Sequence, residues 1–161
     1  AIAYCNGLGL PASFRFAVAD ANELDCVEDA SVDFAFGHGV LHHLDLDRFG
    51  AALQRKLAPN GRARFVEPAQ GNFALRLFRK LTPTLRTDDE RPFDTTSLRQ
   101  LRKHVDVRVT DHALLRPFLP MLFFNAKPVT RIARSLDDYL LRAPILQSQA
   151  WLLQMELTRK T

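Results

Sequence analysis

Ser31-Val32-Asp33-Phe34-Ala35-Phe36 is a near-continuous apolar run that ends in Gly37-His38-Gly39. Such a run reads as a strand covered on both faces, and the glycines open it into a flexible tip. Beyond the tip, Asp45 or Asp47 can cap a helix in which Phe49, Leu53 and Leu57 line one face. Pro59-Asn60-Gly61 then turns the chain, and Arg62 to Glu67 reads as another strand. Upstream, Phe14-Arg15-Phe16-Ala17-Val18 alternates like a strand and runs into the acidic loop Asp20-Ala21-Asn22-Glu23. Ala1 to Leu8 reads as an apolar helix end, closed by Gly7-Leu8-Gly9-Leu10-Pro11. The order is helix, strand, strand, helix, strand, with connections too long for hairpins. It predicts an α/β fold with an open, mainly parallel sheet and flanking helices.

Past Pro68 the pattern predicts a helix over 72–81, with Phe73, Leu77 and Leu81 on one face, and a second over Thr95 to Lys103 behind a Ser/Thr/Asp-rich capping stretch. Val105-Asp106-Val107-Arg108-Val109 alternates, as expected of a strand at the sheet's margin. Leu114 to Phe124 is apolar but interrupted by Pro117 and Pro120, which argues against a straight helix. Helical spacing returns from Val129 to Leu141. Ala150 to Thr158 fits a final strand, although its composition also suits a helix.

A length of 161 residues suits one domain, and 47% hydrophobic with 25% charged residues excludes collagen-like and disordered classes. Two cysteines, Cys5 and Cys26, are too few for a disulfide scaffold and too far apart for a redox pair, so both are expected to be small buried residues in a cytoplasmic protein. No apolar run reaches the roughly 18 residues that span a bilayer. The charge is uneven. Residues 1–60 hold four Lys or Arg against eight Asp or Glu, a balance of −4, whereas residues 61–161 hold eighteen against ten, a balance of +8. The basic residues recur at helical spacing among apolar ones, which describes a solvated helix face better than a nucleic-acid surface.

In an open parallel sheet, ligands bind outside the carboxyl ends of the strands. Three stretches qualify: Asp20-Ala21-Asn22, Gly37-His38-Gly39 and Glu67-Pro68. An acidic side chain there can accept hydrogen bonds from a ligand amine or hydroxyl, and glycine lets backbone approach a ligand closely. The plain alternatives are an Asx turn at Asp20 and tight turns at the glycines. His38, His42 and His43 could be read as metal ligands, but no cysteine or carboxylate stands at zinc-like spacing, so no metal is expected. A histidine at a strand end can instead be a general base, or simply pack.

The chain resembles the class I S-adenosylmethionine-dependent methyltransferases of the bacterial small-molecule type, methyltransferase type 11-like, with a Rossmann-like fold. Phe16-Ala-Val-Ala-Asp20-Ala21 is similar to the third strand and its adenine loop. Ala30-Ser-Val-Asp-Phe-Ala-Phe-Gly-His-Gly-Val-Leu-His-His-Leu44 is similar to the fourth strand and the start of the next helix, and Leu57-Ala-Pro-Asn-Gly61 with Ala63-Arg-Phe-Val-Glu-Pro68 to the turn and fifth strand. Arg79 to Pro92 resembles a stretch of one subgroup that lies over the active-site side of the sheet. The resemblance implies the cofactor S-adenosyl-L-methionine. It implies Asp20 at the adenine amino group with Ala21 and Asn22 in the same loop, and Gly37, His38 and Val40 near the methionine portion. It also implies His42 or His43 as candidate catalytic base, with Glu67, Asp89 and Glu90 as polar lining of the acceptor site. The apolar content of Leu114 to Phe124 suggests a small, hydrophobic acceptor such as a quinone, lipid or polyketide-like ring.

Members carry a glycine-rich loop after the first strand and an acidic residue ending the second, and these residues contain neither. The expectation is a single domain, 1–161, whose first βαβ unit is missing, with exposed sheet edges and weak cofactor binding by this polypeptide alone. The family's sheet order is 3-2-1-4-5-7-6, and a lid-like insertion is expected at about 111–148, over an acceptor or against a homodimer partner. Two alternatives stand beside methyl transfer: a non-catalytic interaction module, and an RNA-binding or RNA-methylating protein suggested by the basic half.

Overall fold

A computed structural model describes residues 13–69, 93–116, 119 and 126–160, together with 4, 7, 9 and 11. Its elements are strand β1 (Val32–His38), a 3-10 turn (Leu41–His43), helix α1 (Leu46–Lys56), β2 (Leu57–Pro68), α2 (Thr95–His104), β3 (Val105–Ala113), α3 (Lys127–Leu140), a short helical turn (Pro144–Gln147) and β4 (Leu152–Arg159). The sheet order is β1-β2-β4-β3. β1 and β2 are parallel, and β4 runs antiparallel to both β2 and β3. This is the 4-5-7-6 part of the order implied by the resemblance, and β3 lies at the margin as its alternation predicts. The reversed β4 makes the described sheet mixed.

The starts of α1 and α2 are fixed locally. The Asp45 carboxylate accepts from the N–H groups of Asp47 and Arg48, and Asp94 forms a capping box with Ser97. The buried face of α1 carries Phe49, Ala52 and Leu53, and α2 adds Leu101. These pack on the sheet face formed by Ala63, Phe65, Val105, Met155 and Leu157. Phe49 meets Phe65 edge-on, with ring centroids 5.6 Å apart.

The other sheet face differs from the sequence expectation. Phe34 and Phe36 are 53% and 66% exposed, so β1 is not covered on both faces among the described residues. No described helix packs there, and Arg64 on β2 instead pairs with Glu156 on β4 at 3.1 Å. Phe14–Val18 also departs from expectation: it forms no strand, and Phe14, Phe16 and Val18 are exposed. A strand needs a neighbour to satisfy its backbone, and no described strand lies beside this stretch.

Pro59-Asn60-Gly61 does not end one element before another. Val32 pairs with Leu57 and Phe34 with Arg62, so residues 58–61 form an irregularity inside β2. Gly61 is required there, because a Cβ would stand 2.2 Å from the Val32 carbonyl oxygen. Cys26 is exposed rather than buried, because it sits in the turn-rich connection before β1. Cys5, the predicted 72–81 helix and most of 114–124 lie outside the described residues, as does most of the expected first helix. Among the described residues no helix is long and apolar enough to cross a membrane.

Candidate functional site

The carboxyl end of β1 is shaped by close approach. A Cβ on Gly37 would fall 2.4 Å from Cε1 of Phe65, so only glycine lets β1 lie against the Phe65 ring there. Gly39 has φ +60 and donates its N–H to the Val66 carbonyl at 2.8 Å, which bends the chain off the sheet into the 3-10 turn.

Glu67, near the end of the neighbouring β2, holds that turn. Its carboxylate is fully buried. Oε1 accepts from the N–H groups of Val40 at 3.0 Å and Leu41 at 2.9 Å, and Oε2 lies 2.7 Å from Nδ1 of His42. A buried carboxylate costs free energy unless its lone pairs are used, and here three donors on one turn use them. The His42 side chain is 9% exposed, and its ring lies beside that of His43, with centroids 4.1 Å apart. Nε2 of His42 has no hydrogen-bond partner among the described residues, and no side-chain nitrogen or oxygen there is both buried and unbonded. Nε2 therefore reaches solvent.

Asp20 sits in an Asx turn, its Oδ1 accepting from the backbone and side-chain N–H groups of Asn22 at 2.8 and 2.9 Å. These hydrogen bonds, and more weakly the Arg48 guanidinium, hold the Asp20 carboxyl below its ordinary range. Asn22 in turn accepts from the Asp45 N–H at 2.8 Å, and Arg48 of α1 binds Glu23 through Nε at 2.8 Å. The acidic loop is thus tied to the start of α1, a few residues past the turn that Glu67 holds. All three stretches meet at one end of the sheet. His38 and His43 are exposed there, and Ala21 and Asn22 are half-buried. Asp89 and Glu90 lie outside the described residues.

A cavity of about 620 Å³ opens beyond Pro68 and the end of β3, with Phe93, Leu98, Val109 and Leu153 as apolar walls and Gln147 and Ser148 among its polar ones. Gln147 and Ser148 are the last two residues of the 111–148 stretch. Asp137 of α3 anchors that stretch to the end of β3. Fully buried, it accepts from the N–H groups of Leu114, Leu115 and Arg116 at 3.1, 2.7 and 3.1 Å and from Nε of Arg116 at 3.1 Å. Sequence reasoning missed Asp137, which reads as one polar position in an amphipathic helix. No group of three or more metal-ligating side chains occurs among the described residues.

A family model described as a methyltransferase domain matches residues 2–65, the part of the chain that carries the Asp20 loop, β1 and the β1–α1 turn. The chain has the methyltransferase fold. Solved structures extend this likeness past the matched residues. Geranyl diphosphate C-methyltransferase from Streptomyces coelicolor A3(2) is 13% identical with a TM-score of 0.56, covering 91% of this chain and 54% of its own. A geranyl diphosphate methyltransferase solved with S-adenosylmethionine is 15% identical with a TM-score of 0.61, covering 98% and 62%. A SAM-dependent methyltransferase from Thermotoga maritima is 17% identical with a TM-score of 0.58, covering 88% and 62%. The chain therefore spans between about half and two thirds of the length of these methyltransferases. No curated protein matches it.

Proposed function

We propose that the natural protein containing this chain transfers a methyl group from S-adenosylmethionine to a small, largely apolar acceptor. The observation that carries this reading is the convergence of the Asp20 loop, the Gly37–Val40 bend and the Glu67–His42 pair at the carboxyl end of the sheet. The residues suit the cofactor: an Asx turn whose second carboxylate oxygen, Oδ2, faces the Arg48 guanidinium at 3.7 Å and has capacity to accept from an adenine amine, and a bend in which Gly39 leaves room beside the backbone. Asp20, Ala21 and Asn22 would hold the adenosine end, and Gly37, His38 and Val40 the methionine end. When bound, the cofactor supplies an electrophilic methyl carbon on a positively charged sulfur.

The chain's own work is positioning and proton removal. Holding acceptor and methyl donor in line supplies much of the rate. His42, through Nε2, takes the proton of an O–H, N–H or activated C–H acceptor as the new bond to the methyl carbon forms. His42 would hold that proton on Nε2 and end as imidazolium, with Nδ1 still at the Glu67 carboxylate. His43 is the neighbouring candidate for the same task. The 620 Å³ cavity suits the acceptor, with apolar walls from Phe93, Leu98, Val109 and Leu153 and a polar side formed by Asp94, Thr95, His112, Gln147 and Ser148. The geranyl diphosphate enzymes among its structural neighbours agree with an apolar acceptor. In this reading 1–161 belongs to one methyltransferase domain, and the 111–148 stretch forms part of the acceptor's wall.

The test is transfer of tritium from methyl-labelled S-adenosylmethionine to a geranyl diphosphate, a quinol and a catechol by the natural protein. Labelled product with at least one of them, slowed about 10²- to 10⁴-fold in His42→Gln, supports the reading. Absence of both cofactor binding and labelled product would favour the non-catalytic module instead.

A further inference from the structure

We propose that Glu67 is a positioning residue that sets the tautomer of His42, fixing the imidazole with its proton on Nδ1 so that Nε2 is the bare proton acceptor. The inference rests on the methyl-transfer reading above, and it changes Glu67 from an acceptor-lining residue to one that acts through His42.

The geometry separates the two oxygens of one carboxylate. Oε1 is used by two backbone N–H groups, Val40 and Leu41, and so holds the bend that follows β1. Oε2 has His42 Nδ1 at 2.7 Å. An ionised carboxylate can only accept, so Nδ1 must carry the proton. In a neutral ring the other nitrogen is then an acceptor. Nε2 has no partner among the described residues and reaches solvent, while Nδ1 faces a fully buried group. The ring cannot flip without leaving that buried carboxylate short of one donor. Each ring nitrogen is thus assigned a task by its environment: one for orientation, one for chemistry. The same division of labour, a buried carboxylate orienting a histidine base, recurs in catalytic triads on unrelated folds.

Glu67→Gln tests this because it divides the two functions. The amide oxygen in place of Oε1 still accepts from Val40 and Leu41, so the bend is kept. The amide NH2 in place of Oε2 becomes a donor toward Nδ1, which must then be bare, and the proton moves to Nε2. Nitrogen-15 NMR of the natural protein at a pH where His42 is neutral reads the tautomer directly. The expected result is a protonated Nδ1 in the wild type and a protonated Nε2 in Glu67→Gln. In the labelled-methyl assay, Glu67→Gln should lower kcat by about 10²-fold or more with the KM for S-adenosylmethionine little changed. Glu67→Ala, which also frees the two backbone N–H groups, should change both. Glu67→Asp keeps an acceptor-only group and should restore the wild-type tautomer.

A bare Nδ1 in the wild type would overturn the proposal, and this spectrum decides even if Glu67→Gln fails to fold. A reversed tautomer in Glu67→Gln with wild-type kcat would overturn it as well. A wild type with the expected tautomer that binds no cofactor and transfers no methyl group would count against the methyl-transfer reading alone, since the spectrum stands without turnover.

Discussion

Replacing Asp137 by alanine removes a buried carboxylate whose hydrogen bonds tie α3 to the end of β3. Four hydrogen bonds end on its carboxylate, three from consecutive backbone N–H groups and one from the Arg116 guanidinium. Arg116 also donates through Nη2 to the His112 carbonyl at 2.6 Å, so its head stays in place after the carboxylate is gone. Losing one member of a buried ion pair costs about 3–5 kcal/mol. The three N–H groups would each cost about 1–3 kcal/mol if sealed from water. They are only part-buried, and water can reach them, so we take about 3–5 kcal/mol for the whole change. With a urea m-value of about 1–3 kcal/mol/M, the midpoint should fall by roughly 1–5 M. Hydrogen exchange should quicken first at 114–116 and in α3, since these lose their shared anchor. Asp137→Asn should be nearly as damaging, because it sets an amide donor against other donors. A midpoint shift below about 0.3 M in both variants, with unchanged exchange at 114–116, would refute the reasoning, because it would mean that the carboxylate is not the anchor.

Gly61→Ala would place a Cβ 2.2 Å from the Val32 carbonyl oxygen and 2.8 Å from the Ala58 nitrogen, both backbone atoms. It should cost at least about 1–3 kcal/mol, read as a lowered Tm. Asp45→Ala removes the acceptor for the Asp47 and Arg48 N–H groups and should cost about 1 kcal/mol in chemical denaturation. Asp47 is held below its ordinary value of 3.8 by hydrogen bonds first from Lys103 and then from His104. A lowered folded-state pKa gives stability that is present above about pH 4 and lost as the pH falls through the folded value, so Asp47→Asn should flatten the acid limb of stability against pH. An unchanged slope below pH 4 would show that the pairing has no net effect.

Much of the fold could be read from period and punctuation. β1, α1, α2, β3, α3 and β4 follow the apolar spacing, and each of the capped helices begins at an aspartate visible in the sequence. What could not be read depends on non-local partners. Phe14–Val18 alternates like a strand, but alternation does not supply a neighbour to bond. Phe34 and Phe36 look like core residues in a local window, and their exposure is decided by which helices pack on that face. Pro59-Asn60-Gly61 carries the chemistry of a turn, yet the register between Val32 and Leu57 turns it into an irregularity within one strand. At the site, the histidines and Asp20 stand out by type and position. The role of Glu67 does not, because a glutamate at the end of a strand looks alike whether it faces a ligand or its own chain. Asp137 is hidden for a similar reason, since one buried carboxylate in an amphipathic helix leaves no mark in the spacing.

A crystal structure of the natural protein with S-adenosylhomocysteine would place the nucleoside. The account predicts adenine density against Asp20, Ala21 and Asn22, with the homocysteine portion running over Gly37, His38 and Val40 toward His42. Density for the nucleoside at another edge of the sheet, with the Asp20 loop and the Gly37–Val40 bend both unoccupied, would contradict it.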